Sequence, residues 1–219
     1  EQILTTPRFV KKGTAMDKIF QQCIQEQIVP EKLLTIDRTY LLIYLRGVSF
    51  SPEYDVDVEC PNCSTNFQNI VDLNSLDLKD CPEDFSKDSL IGTLPASGFK
   101  FQYRLSTGRD EQQVNSHREK MVKEFDNGAD DTLVYRASIL IEEIEGVTGQ
   151  AAIQTIISRL LISDVAYLRN LINDPPFGID TKIGFICPAC THEFKVDMPY
   201  EANFFFPRRK ETERKTQKN

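Results

Sequence analysis

Two short cysteine motifs, far apart in the chain, constrain its fold more than any other feature. Cys60-Pro61-Asn62-Cys63 and Cys187-Pro188-Ala189-Cys190 both follow the pattern Cys-Pro-x-Cys-x-x-x-Phe, ending at Phe67 and Phe194. Each then runs into a Val-Asp-apolar stretch, Val71-Asp72-Leu73 and Val196-Asp197-Met198. This short repeat fits either an internal duplication or the shared demands of a metal knuckle. Two residues between cysteines let one tight turn aim both sulfurs at a single point. Zinc takes four tetrahedral ligands and binds thiolate well, so one knuckle supplies half a site and two supply a whole one. Cys60, Cys63, Cys187 and Cys190 are therefore the predicted ligands of one structural Zn2+ in a zinc-ribbon-like antiparallel β unit. Phe67 and Phe194 are expected to pack beneath it and keep water off the sulfurs. Between Cys63 and Cys187 lie 123 residues. Closing so long a loop costs only slightly more entropy than closing a medium one, so the metal can staple two distant stretches.

Other uses of paired cysteines fit less well. A redox Cys-x-x-Cys opens a helix in a βαβ unit, and neither pair has that context. Disulfides need an oxidising compartment. A catalytic zinc keeps a position open beside three protein ligands, and His192 could enter only by displacing a cysteine. Of the two remaining cysteines, Cys23 falls in a helical pattern and is expected to be a small buried hydrophobe. Cys81 has no assigned role.

The hydrophobic spacing predicts an α+β chain. Helical patterns cover Thr14–Ile28 and Thr35–Gly47, the second apolar enough for a largely buried helix. Within it, Asp37, Arg38 and Arg46 suggest a buried ion pair or a partner contact. From Tyr54 the period changes to two, with Tyr54, Val56 and Val58 alternating against Asp55, Asp57 and Glu59, and Phe67–Leu73 is the returning strand. Asn74–Ser89 is polar and irregular. A turn at Leu94–Gly98 leads into a second alternation, Phe99–Leu105. Thr107 caps a charged helix running to about Phe125, with Asp110 and Glu111 at its positive end. After a break at Asp126–Asp131, helical spacing returns over Thr132–Glu145, Gln150–Leu161 and Ser163–Ile172. Lys182–Cys187 and Glu193–Met198 form a second strand–knuckle–strand. The resulting plan is a helical segment (1–47), a β unit with the first knuckle (48–106), a helical insertion (107–176), the second knuckle completing the β unit (177–206) and a basic tail (207–219).

Charge and composition narrow the function. The net charge of −7 combines a body of −11 over residues 1–206, 20 basic against 31 acidic, with six basic and two acidic residues beyond. An acidic body repels nucleic acid, and acidic residues flank both knuckles, which counts against the main alternative, a nucleic-acid-binding zinc ribbon. The tail is expected to be a solvated, disordered end. No apolar run approaches the roughly 20 residues that span a bilayer, and Glu1–Gly13 lacks the apolar stretch of a signal peptide. The expectation is a soluble intracellular protein. His117 and His192, the two histidines, have no evident nucleophile beside them, and no phosphate-binding or nucleophile-elbow motif occurs, so no enzyme is expected. Phe204-Phe205-Phe206 is expected to be core or interface.

Taken in order, Ile36-Asp37-Arg38-x-Tyr40-Leu-Leu, Leu45-Arg46, Cys60-Pro-x-Cys63, Leu94-Pro95-x-Ser97-Gly98, Arg104-Leu-Ser-Thr107, Asp164-x-x-x-Leu168-Arg169, Cys187-Pro-x-Cys190 and Phe204-Phe-Phe-Pro207 resemble the baseplate hub assembly proteins of T4-like contractile-tailed bacteriophages. The resemblance spans about Leu33 to Pro207. It implies a viral protein acting in the host bacterial cytoplasm during assembly, or in the virion tail baseplate. Its partners would be phage baseplate hub proteins, met through protein–protein contacts either as a chaperone-like factor or as a hub component. No catalytic residue comes with it.

Overall fold

The structure, a computed structural model, describes residues 15–124, 131–198 and 204. It is α+β, with six α-helices and ten short strands among the described residues. The helices are α1 (Ala15–Cys23), α2 (Thr35–Ser49), α3 (Gly108–Glu124), α4 (Thr132–Leu140), α5 (Gln150–Ile157) and α6 (Ile162–Asn173). The strands are β1 (Glu53–Glu59), β2 (Asn66–Asp72), β3 (Leu78–Lys79), β4 (Ile91–Thr93), β5 (Lys100–Tyr103), β6 (Ile141–Ile144), β7 (Val147–Thr148), β8 (Gly178–Ile179), β9 (Lys182–Ile186) and β10 (Glu193–Asp197). Two compact units share the chain. One holds the described residues through Thr39 together with Asp80–Gly178; the other holds Tyr40–Lys79 and the described residues from Ile179 onward. The segment 80–106 therefore belongs with the helices of the first unit and not with the first knuckle, because β5 pairs with β6.

The first unit is built on the antiparallel sheet β4-β5-β6-β7. Its core gathers Leu94, Phe101, Ala137, Ile141, Ile144, Ile153, Ile157 and Leu168. Thr132–Glu145, which has helical spacing throughout, is helical only to Leu140 and then turns into β6. The apolar residues Leu140, Ile141 and Ile144 satisfy either period; the edge offered by β5 decides in favour of a strand, and local propensity yields to tertiary pairing. The turn at Glu145-Gly146, both at positive φ, returns the chain as β7. The insertion is thus not purely helical. Helix α1 ends at Cys23, short of the predicted Ile28, and Val29 is extended as the residue before a proline must be. Cys23 is exposed, not buried. The break at Asp126–Asn127–Gly128–Ala129–Asp130 lies outside the described residues, as do Thr14, the Phe205–Phe206 pair and the tail 207–219.

The polar residues that interrupt α2 have separate jobs. Arg38 is buried, but its partner is Asp17 of α1 at 2.6 Å, not the exposed Asp37, whose carboxyl is raised by partial desolvation. The same guanidinium donates to the Pro30 carbonyl at 2.7 Å, lies 3.4 Å from Glu111 of α3 and sits 5.6 Å over the Phe20 ring. A Cβ at Gly108 would fall 2.5 Å from Arg38 Nη1, so glycine at the start of α3 is what admits the guanidinium. One buried cation therefore ties α1, α2 and α3.

In the second unit, β1 and β2 pair in full register from Glu53↔Asp72 to Glu59↔Asn66, and β9 pairs with β10 from Lys182↔Asp197 to Ile186↔Glu193. Both hairpins lie where their alternation predicts. Tyr54, Val56, Val58 and Val71 point inward. Phe204 is buried with its ring edge-on to Tyr54 at 5.1 Å, so the first of the three terminal phenylalanines is core. Arg46 is buried near the end of α2 and donates to the carbonyls of Ser51 and Glu53, clamping the turn into β1. Helix α2 is not buried all round: Leu42 and Ile43 are inside, whereas Tyr40, Tyr44 and Val48 are exposed.

Candidate metal centre

Both knuckles sit at the tips of antiparallel hairpins, and the backbone makes the same turn in each. Cys60 N–H donates to Thr65 O at 3.0 Å and Ser64 N–H returns to Cys60 O at 2.9 Å. In the second knuckle Cys187 N–H donates to His192 O at 3.0 Å and Thr191 N–H to Cys187 O at 2.9 Å. The residue after each second cysteine, Ser64 at φ 55° and Thr191 at φ 57°, takes the left-handed conformation. That conformation is costly for a β-branched threonine, and such strain persists only where the surroundings over-determine it. Here the turn is what points both sulfurs of a knuckle the same way.

The four sulfurs of Cys60, Cys63, Cys187 and Cys190 lie within 4.8 Å of one another. They interleave across the knuckles, with Cys60 Sγ 3.7 Å from Cys190 Sγ and Cys63 Sγ 3.6 Å from Cys187 Sγ. A disulfide would need about 2.05 Å. Sulfurs at the corners of a tetrahedron with metal–sulfur bonds of about 2.3 Å stand about 3.8 Å apart, so the spacing fits a metal and not a bridge. All four are free thiols; Cys60 and Cys187 are buried.

Electrostatics favour a cation here. Burial pushes the Cys60 thiol up to about 11, while hydrogen bonds from the side chain and backbone of Thr65 hold Cys63 down at about 6. The Asn62 amide, 3.5 Å from Cys190 Sγ, lowers Cys190 as well. Four thiolates this close repel one another, and all can ionise together only around a positive ion. The donor set is all sulfur, which suits zinc or another thiophilic metal. His192 stands outside the cluster, stacked on Phe194 at 6.0 Å. Phe67, Phe185 and Phe194 meet one another at 6.2–6.4 Å, so the phenylalanine four places after each knuckle's second cysteine does pack between the two hairpins.

Away from the cluster, the structure gives partners to motif residues that sequence reasoning left without a role. Asp164 is fully buried and accepts N–H bonds from Ala96 at 2.7 Å and Ser97 at 3.0 Å, so Leu94–Gly98 and Asp164–Arg169 form one device, a carboxylate holding a turn. Burial alone would raise this carboxyl; the bonds from Ala96 and Ser97 leave it net lowered. Arg104 grips Asp110 through two bonds of 2.7 and 2.8 Å, and Asp110 also accepts from the Thr107 N–H and hydroxyl at 2.8 and 2.7 Å. Thr107 and Asp110 thus supply the reach-back half of a capping box at the start of α3. His117 stacks on Tyr135 at 3.8 Å and meets Asp131 at 2.8 Å, a pairing invisible in sequence because the two lie 14 positions apart.

The arrangement defines a metal-competent joint made from two hairpins that are remote in sequence. The chain belongs to the family of T4 bacteriophage base plate proteins, whose model matches residues 9–206. No curated protein and no solved structure matches it. Membership carries a structural role in the phage baseplate and contact with other baseplate proteins. No helix among the described residues is long and apolar enough to cross a membrane.

Proposed function

We propose that this protein is a baseplate hub assembly factor or hub component that works through protein–protein contacts and performs no catalysis. In this reading Cys60, Cys63, Cys187 and Cys190 hold one structural Zn2+ in a zinc-ribbon-type site. When bound, the ion supplies the charge that lets all four thiols ionise and fixes the two knuckles together. The observation that carries the reading is the convergence of four sulfurs from both ends of a 123-residue interval in a chain of the baseplate family. The exposed Glu53, Asp57 and Glu59 on β1 weigh against nucleic acid as the partner, since they would face its phosphates.

The test is mass spectrometry of proteins recovered with the tagged full chain from infected cells, beside a protein census of purified virions and metal analysis of the purified protein. Baseplate hub proteins among the partners, with about one zinc per chain, would support the reading. Presence in virions would make it a hub component, and absence a transient assembly factor. Recovery without baseplate proteins, or protein free of metal yet fully folded, would refute it.

A further inference from the structure

The two knuckles share a backbone but not their side chains. Position by position, Asn62 of the first answers to Ala189 of the second, and Thr65 to His192. Both first-knuckle residues reach a sulfur. Asn62 Nδ2 donates to Cys190 Sγ at 3.5 Å, and Thr65 Oγ1 lies 3.2 Å from Cys63 Sγ. The second knuckle has no such pair. Ala189 has no donor to offer, the His192 ring is stacked on Phe194, and the Thr191 hydroxyl donates to the Cys190 carbonyl at 2.7 Å instead. Backbone bonds to sulfur, by contrast, match: Cys63 accepts from the Thr65 N–H and Cys190 from the His192 N–H. The inequality therefore lies in the side chains alone.

The sulfurs that receive these side-chain bonds are the ones that solvent reaches. Cys60 and Cys187 are buried, whereas Cys63 is exposed and Cys190 half-buried. A divalent ion does not neutralise four thiolates, so the loaded centre carries net negative charge and gains from every donor aimed at it. A ligating sulfur has lost its proton, so the amide and the hydroxyl are the donors in both bonds. Drawing charge from a sulfur also makes it a poorer nucleophile, which matters most where reagents have access. The Asn62 bond does a second thing: it joins residues 128 positions apart and so crosses from one hairpin to the other.

We propose that Asn62 and Thr65 are positioning residues of the metal centre, fixing the two solvent-facing sulfurs, so that the first knuckle guards Cys63 and Cys190 and the second guards neither. The inference rests on the zinc reading above and deepens it. Four cysteines define the site, and two polar side chains of one knuckle decide how firmly it keeps its ion.

The test uses the zinc-loaded full chain and two readouts. Competition with a chromophoric chelator gives the zinc affinity. Brief treatment with an alkylating reagent, mapped by mass spectrometry on singly modified chains, gives the reactivity of each sulfur. Asn62→Ala should lower zinc affinity by about tenfold, the low end of the loss that follows removal of a partner behind a metal ligand. It should raise the alkylation rate of Cys190 above that of Cys63. Thr65→Val, nearly the same shape without the hydroxyl, should raise Cys63 instead. Asn62→Asp keeps the size of the side chain but turns its donor into an anion, and should weaken zinc binding more than Asn62→Ala does. A merely structural role would loosen all four sulfurs together, and an equal rise at all four in both Asn62→Ala and Thr65→Val would overturn the proposal. Wild-type affinity in Asn62→Asp would overturn it as well. If the wild-type chain holds zinc and every variant holds it equally well, only this inference fails. If the wild-type chain neither contains nor takes up zinc, the zinc reading fails and this inference with it.

Discussion

Removing the Arg38 guanidinium should be among the most damaging single changes to the first unit. The Arg38 and Asp17 side chains are 3% and 8% exposed and their atoms meet at 2.6 Å. Arg38→Met keeps much of the aliphatic stem, so the change isolates the charge and its hydrogen bonds. It leaves Asp17 buried with Gln112 Nε2 as its remaining donor at 2.5 Å, and strips the Pro30 carbonyl of its side-chain donor. Breaking one side of a buried pair costs about 3–5 kcal/mol because the surviving charge is uncompensated. Small domains hold about 5–15 kcal/mol in total, so the first unit would lose a large share of its stability. With a urea dependence of about 1–3 kcal/mol per molar, the midpoint should fall by about 2 M. The chain has no tryptophan, so circular dichroism is the natural probe. The double variant Arg38→Met with Asp17→Asn should cost clearly less than the two single variants together, by about 1–3 kcal/mol of coupling. A loss under about 1 kcal/mol for Arg38→Met, or strict additivity in the cycle, would refute the idea that this pair ties α1 to α2 and α3.

Three further outcomes follow from the same kind of accounting. Cys187→Ser should abolish stoichiometric metal binding and expose the second unit to protease; unchanged proteolysis and melting would contradict a stapling role for the cluster. Asp110→Asn should cost about 1–3 kcal/mol at neutral pH, the range for charge-assisted hydrogen bonds. The Asp110 carboxyl is opposed by burial but held net low by Arg104 and Thr107, so its contribution is complete above the usual value of 3.8 and is lost as pH falls through its lower folded value. Urea titrations should therefore show wild type and Asp110→Asn converging only in strong acid; convergence near neutrality would be wrong for this geometry. Asp164→Asn replaces a two-fold acceptor by one acceptor and one donor, so amide exchange at Ala96 and Ser97 should accelerate and the melting temperature should drop, whereas unchanged protection of both amides would contradict a carboxylate-held turn.

The local elements were mostly legible from the sequence because their signals are local. Alternation in Tyr54–Val58 and in Lys182–Ile186 marks hairpin strands whatever surrounds them, and Cys-Pro-x-Cys fixes a turn by its own geometry. Thr107 with Asp110 announces the start of α3 for the same reason. The cysteine pairing was also foreseeable, because two half-sites of identical chemistry have one efficient way to become whole. Only the tertiary structure decided the rest. Residues 141–144 carry an apolar pattern that suits a helix, and it is the free edge of β5 that makes them a strand. Arg38 was recognisable as a misfit in an apolar helix, but its partner, 21 positions away in Asp17, depends on how three helices meet. Asp164 and the turn at Leu94–Gly98 are 66 residues apart at their nearest, and nothing in either stretch names the other. The open face of Tyr40, Tyr44 and Val48 has the same apolar spacing as a buried face; whether such residues end in core or at the surface is settled by what packs against them, which no local pattern encodes.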